Sequence, residues 1–146
     1  MSRVSQLLKA AHSDKNVVTV SPGTSVVDAA FILRHNNIGA LPVMDDGVLV
    51  GIISERDMVF DVLANRTDPA TIAVADCMTK DPACVTPFTD IMDCMKLMEE
   101  MKVRHIPVVD NGLLVGIVSL RDILYVLWKN QELLAQQFES YILGLR

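Results

Sequence analysis

Apolar and polar positions follow one order of short runs along this chain, and the order occurs twice. Residues 17–20, VVTV, are β-branched and predict a strand. Pro22-Gly23 ends it, and Thr24 or Ser25 can cap a helix over residues 26–36, expected to bury Val27, Ala30, Phe31 and the stem of Arg34. Residues 40–44 predict a second strand, and Asp45-Asp46-Gly47 predicts a hairpin turn, because glycine tolerates positive φ. Residues 48–53 form the returning strand, and Ser54 opens a helix over about residues 55–64. The second pass predicts a strand at 83–85, a break at Pro87, a helix over 91–101, a strand at 105–109, a turn at Asp110-Asn111-Gly112, a strand at 113–118 and a helix after Ser119.

The two passes align at a constant offset of 65 residues. Pro42 then pairs with Pro107, Gly47 with Gly112, Gly51 with Gly116, Ser54 with Ser119 and Asp57 with Asp122, and 15 of 47 positions from Val17 onward are identical. The chain is therefore a tandem repeat: a leader over 1–16, repeats over 17–66 and 82–129, a linker over 67–81 and an extension over 130–146. Residues 4–11 predict a short leading helix. The last helix runs on with Leu133, Leu134, Phe138, Tyr141 and Ile142 in one apolar stripe, which needs cover from the chain's own core or from a partner subunit. Met92, Met95, Met98 and Met101 recur every third residue, a spacing typical of core or subunit interface.

Composition narrows the reading. At 146 residues the chain matches one ordinary domain, so two half-domains sharing a core fit best. A net charge of −5 without a basic run argues against a nucleic-acid partner. No apolar run approaches the roughly 20 residues that span a bilayer, and the N-terminus has no apolar core with a cleavage site. A soluble, cytoplasmic protein without a membrane partner is expected. Cys77, Cys84 and Cys94 form no Cys-x-x-Cys pair and stand in apolar segments, so they are expected to be reduced core residues with no metal site. His12 and His35 have no neighbour at ligand spacing and are expected at the surface.

Three features carry candidate chemistry. In Ser54-Glu55-Arg56-Asp57 and Ser119-Leu120-Arg121-Asp122, hydroxyl and carboxylate stand three apart at a helix start. That spacing makes a capping box; it also suits a carboxylate that accepts from both hydroxyls of a ribose while helix-start N–H groups face phosphate. Both roles can coexist. Gly51 and Gly116 interrupt strands, which implies either tight sheet packing or close approach of a ligand. Arg104 and His105 stand where the first repeat has Gly39 and Ala40, and are either a solvated pair or an anion-binding group. No nucleophile paired with a base, Gly-rich phosphate loop or metal cluster is present, so an enzyme is not expected.

With the doubled pattern of PV, a D-x-G turn, LVGI and S-x-R-D laid out, each repeat resembles a CBS domain and the pair resembles a Bateman module, of the small stand-alone prokaryotic type related to the IMP dehydrogenase regulatory segment. The resemblance covers nearly the whole chain. It implies an α/β (α+β) fold of two β-α-β-β-α units about a pseudo-twofold axis, with a cleft on each side. It also implies a non-enzymatic module that binds an adenine nucleotide, AMP, ADP, ATP or NAD(H), with S-adenosylmethionine less favoured, and that signals to an unknown regulated protein. The alternative is a ligand-free scaffold that acts by contact. An apolar fraction of 51% in so short a chain, with the amphipathic last helix, predicts a homodimer. Carried over residue by residue, the resemblance assigns Ser54, Arg56, Asp57, Cys84, Val85, Thr86, Arg104 and His105 to one cleft. It assigns Val18, Thr19, Val20, Lys102, Ser119, Arg121 and Asp122 to the other, with Asp57 and Asp122 on ribose and Arg104 and His105 on phosphate.

Overall fold

The computed structural model describes residues 2–11 and 16–144. It is a tandem α/β protein with two small antiparallel sheets. In chain order the elements are α1 (Val4–Ala11), α2 (Val26–Asn36), β1 (Ala40–Asp45), β2 (Val48–Ser54), α3 (Glu55–Asp57), β3 (Thr79–Lys80), α4 (Ile91–Met101), β4 (His105–Asp110), β5 (Leu113–Ser119) and α5 (Leu120–Gly144).

The two hairpins are near copies. In both turns two successive residues are left-handed, Asp46 and Gly47 at φ 46° and 77°, Asn111 and Gly112 at 50° and 78°, the geometry that matches the right-handed twist of paired strands. Val43 faces Gly51 and Met44 faces Leu49, so Val50 is a bulge; Val115 is the bulge between the pairs Val108–Gly116 and Val109–Leu114.

The strands expected at 17–20 and 83–85 shrink to single parallel bridges, Val20 to Val43 and Val85 to Val108. Each bridge residue makes two bonds: Val20 N–H to the Pro42 carbonyl and Met44 N–H to the Val20 carbonyl, Val85 N–H to the Pro107 carbonyl and Val109 N–H to the Val85 carbonyl. Two residues on, Pro22 and Pro87 have no N–H to continue the ladder. Helix α2 is capped by Ser25, as expected, but its inward face differs. Val26, Ala29 and Leu33 are buried, whereas Val27, Ala30, Phe31 and Arg34 are exposed, Phe31 by 68%. The two apolar stripes are one residue, about 100°, apart, and β1 takes the smaller one; Phe31 stacks on exposed His35 instead.

The core consists of two clusters, and each repeat completes the other's. Val4 and Leu7 of α1 pack with Val85, Ile91, Cys94, Met98, Ile106, Val108, Val118 and Ile123 of the second repeat. Val74, with Ile72, Cys77 and Met78 around it, packs with Val20, Val26, Leu41, Val43, Ile53 and Val62 of the first. The linker also adds β3 to the first sheet, with Thr79 opposite Ile52 and Lys80 opposite Gly51. These crossings explain the strand glycines. A Cβ at Gly51 would collide with the Met78 sulfur, and one at Gly116 would lie 2.5 Å from Leu8 Cδ2. The close approach comes from the chain's own leading segments.

Of the cysteines only Cys94 is fully buried, and burial pushes its thiol up to about 11. Cys77 is half-buried and Cys84 is exposed, because the chain beside Val85 alternates inward and outward and Val85 takes the core. The Met stripe likewise spirals outward: Met98 is buried and Met95 packs against the core, while Met92 and Met101 are exposed.

The helix expected at 55–64 is one α turn that widens into a π-helix at Met58–Leu63, where Ala64 N–H reaches back five residues to the Val59 carbonyl at 2.8 Å. Helix α5 runs unbroken for 25 residues. Beyond the body its Leu133, Leu134 and Ile142 are 55–56% exposed, so the chain's own core does not cover them. The side chains of Phe138 and Tyr141, and all of His12, lie outside the described residues. Among the described residues no helix is long and apolar enough to cross a membrane, and no three His, Cys, Asp or Glu side chains cluster as for a metal.

Candidate functional site

Ser54 ends β2 in extended geometry and caps α3. Asp57 Oδ2 accepts from the Ser54 N–H at 2.8 Å and from the Ser54 hydroxyl at 3.0 Å, while the Asp57 N–H donates to Ser54 Oγ at 3.3 Å. The capping box is therefore real, and it uses one carboxylate oxygen. Oδ1 has no partner among the described residues, so structural and ligand-binding roles are compatible at this residue. The second copy is built the same way, with Ser119 N–H on Asp122 Oδ2 and Asp122 N–H on Ser119 Oγ, both at 3.0 Å.

A cavity of about 80 Å³ opens beside Asp57. It is lined by Ile52, Ser54, Glu55, Arg56, Asp57 and Thr79, and by Lys102, Val103, Arg104 and His105 of the other repeat. The fold thus brings Ser54, Arg56 and Asp57 together with Arg104 and His105. Lys102, which the sequence reading put in the Asp122 cleft, lines this one instead. It closes α4 in a left-handed conformation, φ 55° and ψ 42°, which turns the chain from the helix toward the cleft.

Cys84, Val85 and Thr86 do not line the cavity. Val85 is in the core, the Thr86 N–H is held by Thr89 Oγ1 at 3.1 Å, and Cys84 Sγ faces the Pro82 carbonyl. In the other half Val20 is buried beneath β1 and Val18 packs on the same core, with Thr19 exposed beside them. The sequence reading missed Thr79 and Glu55.

The contrast between Arg104-His105 and Gly39-Ala40 has a packing cause. A Cβ on Gly39 would lie 3.0 Å from His105 Nε2 and 3.1 Å from its Cε1, so the imidazole occupies the space that the glycine leaves. The repeats meet here, and only one can carry a ring. Burial lowers the His105 pKa below its ordinary value; Glu55, Asp122 and Asp57 oppose that and Arg104 adds to it. Arg56 spreads its guanidinium over the exposed Phe60 ring, 5.0 Å from its centroid.

Fold and site together define a class: paired α/β repeats, each ending in a capped Ser-x-x-Asp helix start, with one start facing basic residues of the other repeat. The CBS-domain family model matches residues 5–63 and 74–129, and the chain belongs to the CBS-domain family. It is 36% identical over 107 residues to the CBS domain-containing protein YhcV of Bacillus subtilis, covering 73% of this chain and 76% of that one. A protein with CBS domains from Burkholderia ambifaria superposes with a TM-score of 0.84 at 34% identity, over 89% of this chain and 96% of the other. Two similar structures hold ligands. CBSX2 in complex with AMP matches at TM-score 0.71 and 30% identity, over 90% and 99% of the two chains. The CBS domain pair of MJ0100 with 5′-methylthioadenosine and S-adenosyl-L-methionine matches at 0.78 and 27%, over 89% and 98%.

Proposed function

We propose that this chain is a non-catalytic regulatory module that binds an adenine nucleotide, AMP, ADP, ATP or NAD(H), in the Asp57 cleft, and that signals to a partner protein as a homodimer. The carrying observation is the meeting of a half-used carboxylate with a basic wall: Asp57 Oδ1 is available to ribose, and Lys102, Arg104 and His105 face it. The AMP, methylthioadenosine and S-adenosylmethionine of the similar structures share an adenosine group, which supports this class of ligand. Between them, the cations of this cleft favour a phosphate-bearing ligand over S-adenosylmethionine.

The enclosed space is small beside the roughly 300–1,000 Å³ around a whole drug-sized ligand, so the base lies in the open mouth or the wall yields on binding. The same smallness favours the second reading, a ligand-free scaffold that acts by contact. A thermal-shift panel of AMP, ADP, ATP, NAD and adenosine separates them. A ligand bound only by the folded state adds RT ln(1 + [L]/Kd), about 2.7 kcal/mol at a hundredfold excess over Kd. Silence across the whole panel at millimolar ligand leaves the scaffold.

A further inference from the structure

We propose that occupancy of the Asp57 cleft is transmitted to α5 through Arg104 and His105, making α5 the output element of the module. The inference rests on the nucleotide reading above and concerns what binding moves. Both residues belong to two places at once. Their side chains line the Asp57 cleft. Their main chain carries the other half: the Arg104 carbonyl accepts from the N–H of Leu120, the first residue of α5, at 2.8 Å, and His105 is the register partner of Ser119, whose capping box sets the first turn of α5.

The first repeat has the same bond, Glu55 N–H to the Gly39 carbonyl at 3.0 Å, but glycine and alanine there have no side chain that could reach a ligand. The link is therefore present in one repeat only, between the Asp57 cleft and α5. Arg104 has a long stem that can absorb a displacement. His105 does not, and its ring already fills the space over Gly39, where a Cβ would lie 3.0 Å from Nε2. A ligand that draws on the imidazole must therefore shift the main chain at the root of α5. Ile123 locks the first turns of that helix into the second core, so the helix answers as a rod pivoting there. At 1.5 Å per residue it is roughly 37 Å long, and a small tilt at Leu120 grows along its length.

Trp128, the only tryptophan of the chain, lies on α5 and is 56% exposed, which makes it a built-in reporter. The test is an AMP titration of the full chain, followed by calorimetry and by Trp128 emission. Wild type is expected to shift the emission at calorimetric saturation. His105→Ala, which places at 105 the residue that the first repeat carries at Ala40, is expected to bind AMP more weakly and to lose the shift even when saturated. Amide exchange over residues 120–123 gives the same comparison without the tryptophan. Saturated wild type with unchanged emission and exchange overturns the proposal and leaves nucleotide binding intact. A full response in saturated His105→Ala overturns it too. Absence of heat with AMP, ADP, ATP and NAD sinks both the binding reading and this one.

Discussion

At Asp57 one carboxylate oxygen closes the capping box and the proposed ribose contact would use the other, so substitutions should separate the two roles. Asp57→Asn keeps an acceptor for the Ser54 N–H but loses the charge offered to a ribose, so AMP and adenosine should weaken alike with little change in melting temperature. Arg104→Ala should act differently: a charge-assisted contact contributes about 1.5–3 kcal/mol, roughly ten- to a hundredfold in Kd, so AMP should weaken far more than adenosine in calorimetry. Equal losses would remove Arg104 from phosphate. Lys102 sets function against stability. A non-glycine residue in the left-handed region costs on the order of 1–2 kcal/mol, and the first repeat uses Asn37 at the matching place, φ 53°. Lys102→Asn should therefore raise the melting temperature slightly while weakening AMP, and a drop in both would refute the trade. His105 ties the site to pH. Its folded pKa lies below the unfolded value near 6.5, so the unfolded chain binds more protons, and stability present above that pH is lost as pH falls through the folded pKa. His105→Asn should flatten that acid slope in urea titrations. Nucleotide binding has the opposite sign: a phosphate beside the imidazole favours its cation, so AMP binding should take up a proton and tighten as pH falls.

At the scale of elements, the informative feature is that the segments preceding each repeat pack on the other one. Leu7 is fully buried in the second core although it stands far upstream in sequence, so Leu7→Ala should cost about 2–5 kcal/mol, and amide exchange should rise in α4 and β5 before it rises in α2. Gly116→Ala would press on Leu8 and should cost about 1–3 kcal/mol, most of which Leu8→Ala in the same chain should return. A double mutant no more stable than Gly116→Ala alone would show that the strand conformation, not Leu8, requires the glycine.

At the scale of the molecule, much apolar surface stays uncovered. Phe31, Phe88, Met92, Met101, Tyr125 and Trp128 are all exposed by 45% or more, and α5 adds Leu133, Leu134 and Ile142. A lone soluble domain rarely leaves so much large apolar surface uncovered, and a standard interface of about 1,600 Å² would hide much of it. The expected outcome is a homodimer by light scattering at micromolar concentration. A monomer there would make these faces the docking surface for the regulated protein instead.

What the sequence by itself determined is whatever depends on neighbours along the chain. Asp-Asp-Gly and Asp-Asn-Gly make hairpin turns because their backbone preferences are local, Ser54 and Ser119 cap helices through contacts three residues away, and repetition at a fixed offset announces two like units. Only the tertiary structure decided what depends on how those units meet. The phase of α2 turned on which of two adjacent apolar stripes β1 would accept, and the strands at 17–20 and 83–85 ended where proline left no donor. Thr79 and Lys102 reached the Asp57 cleft, and Cys84 to Thr86 did not, because the linker crosses to the first repeat and the two halves abut at Gly39 and His105. A contact between residues 66 apart leaves no periodicity in either segment; it exists only once both units have folded and packed, with a ring on one side and a glycine on the other.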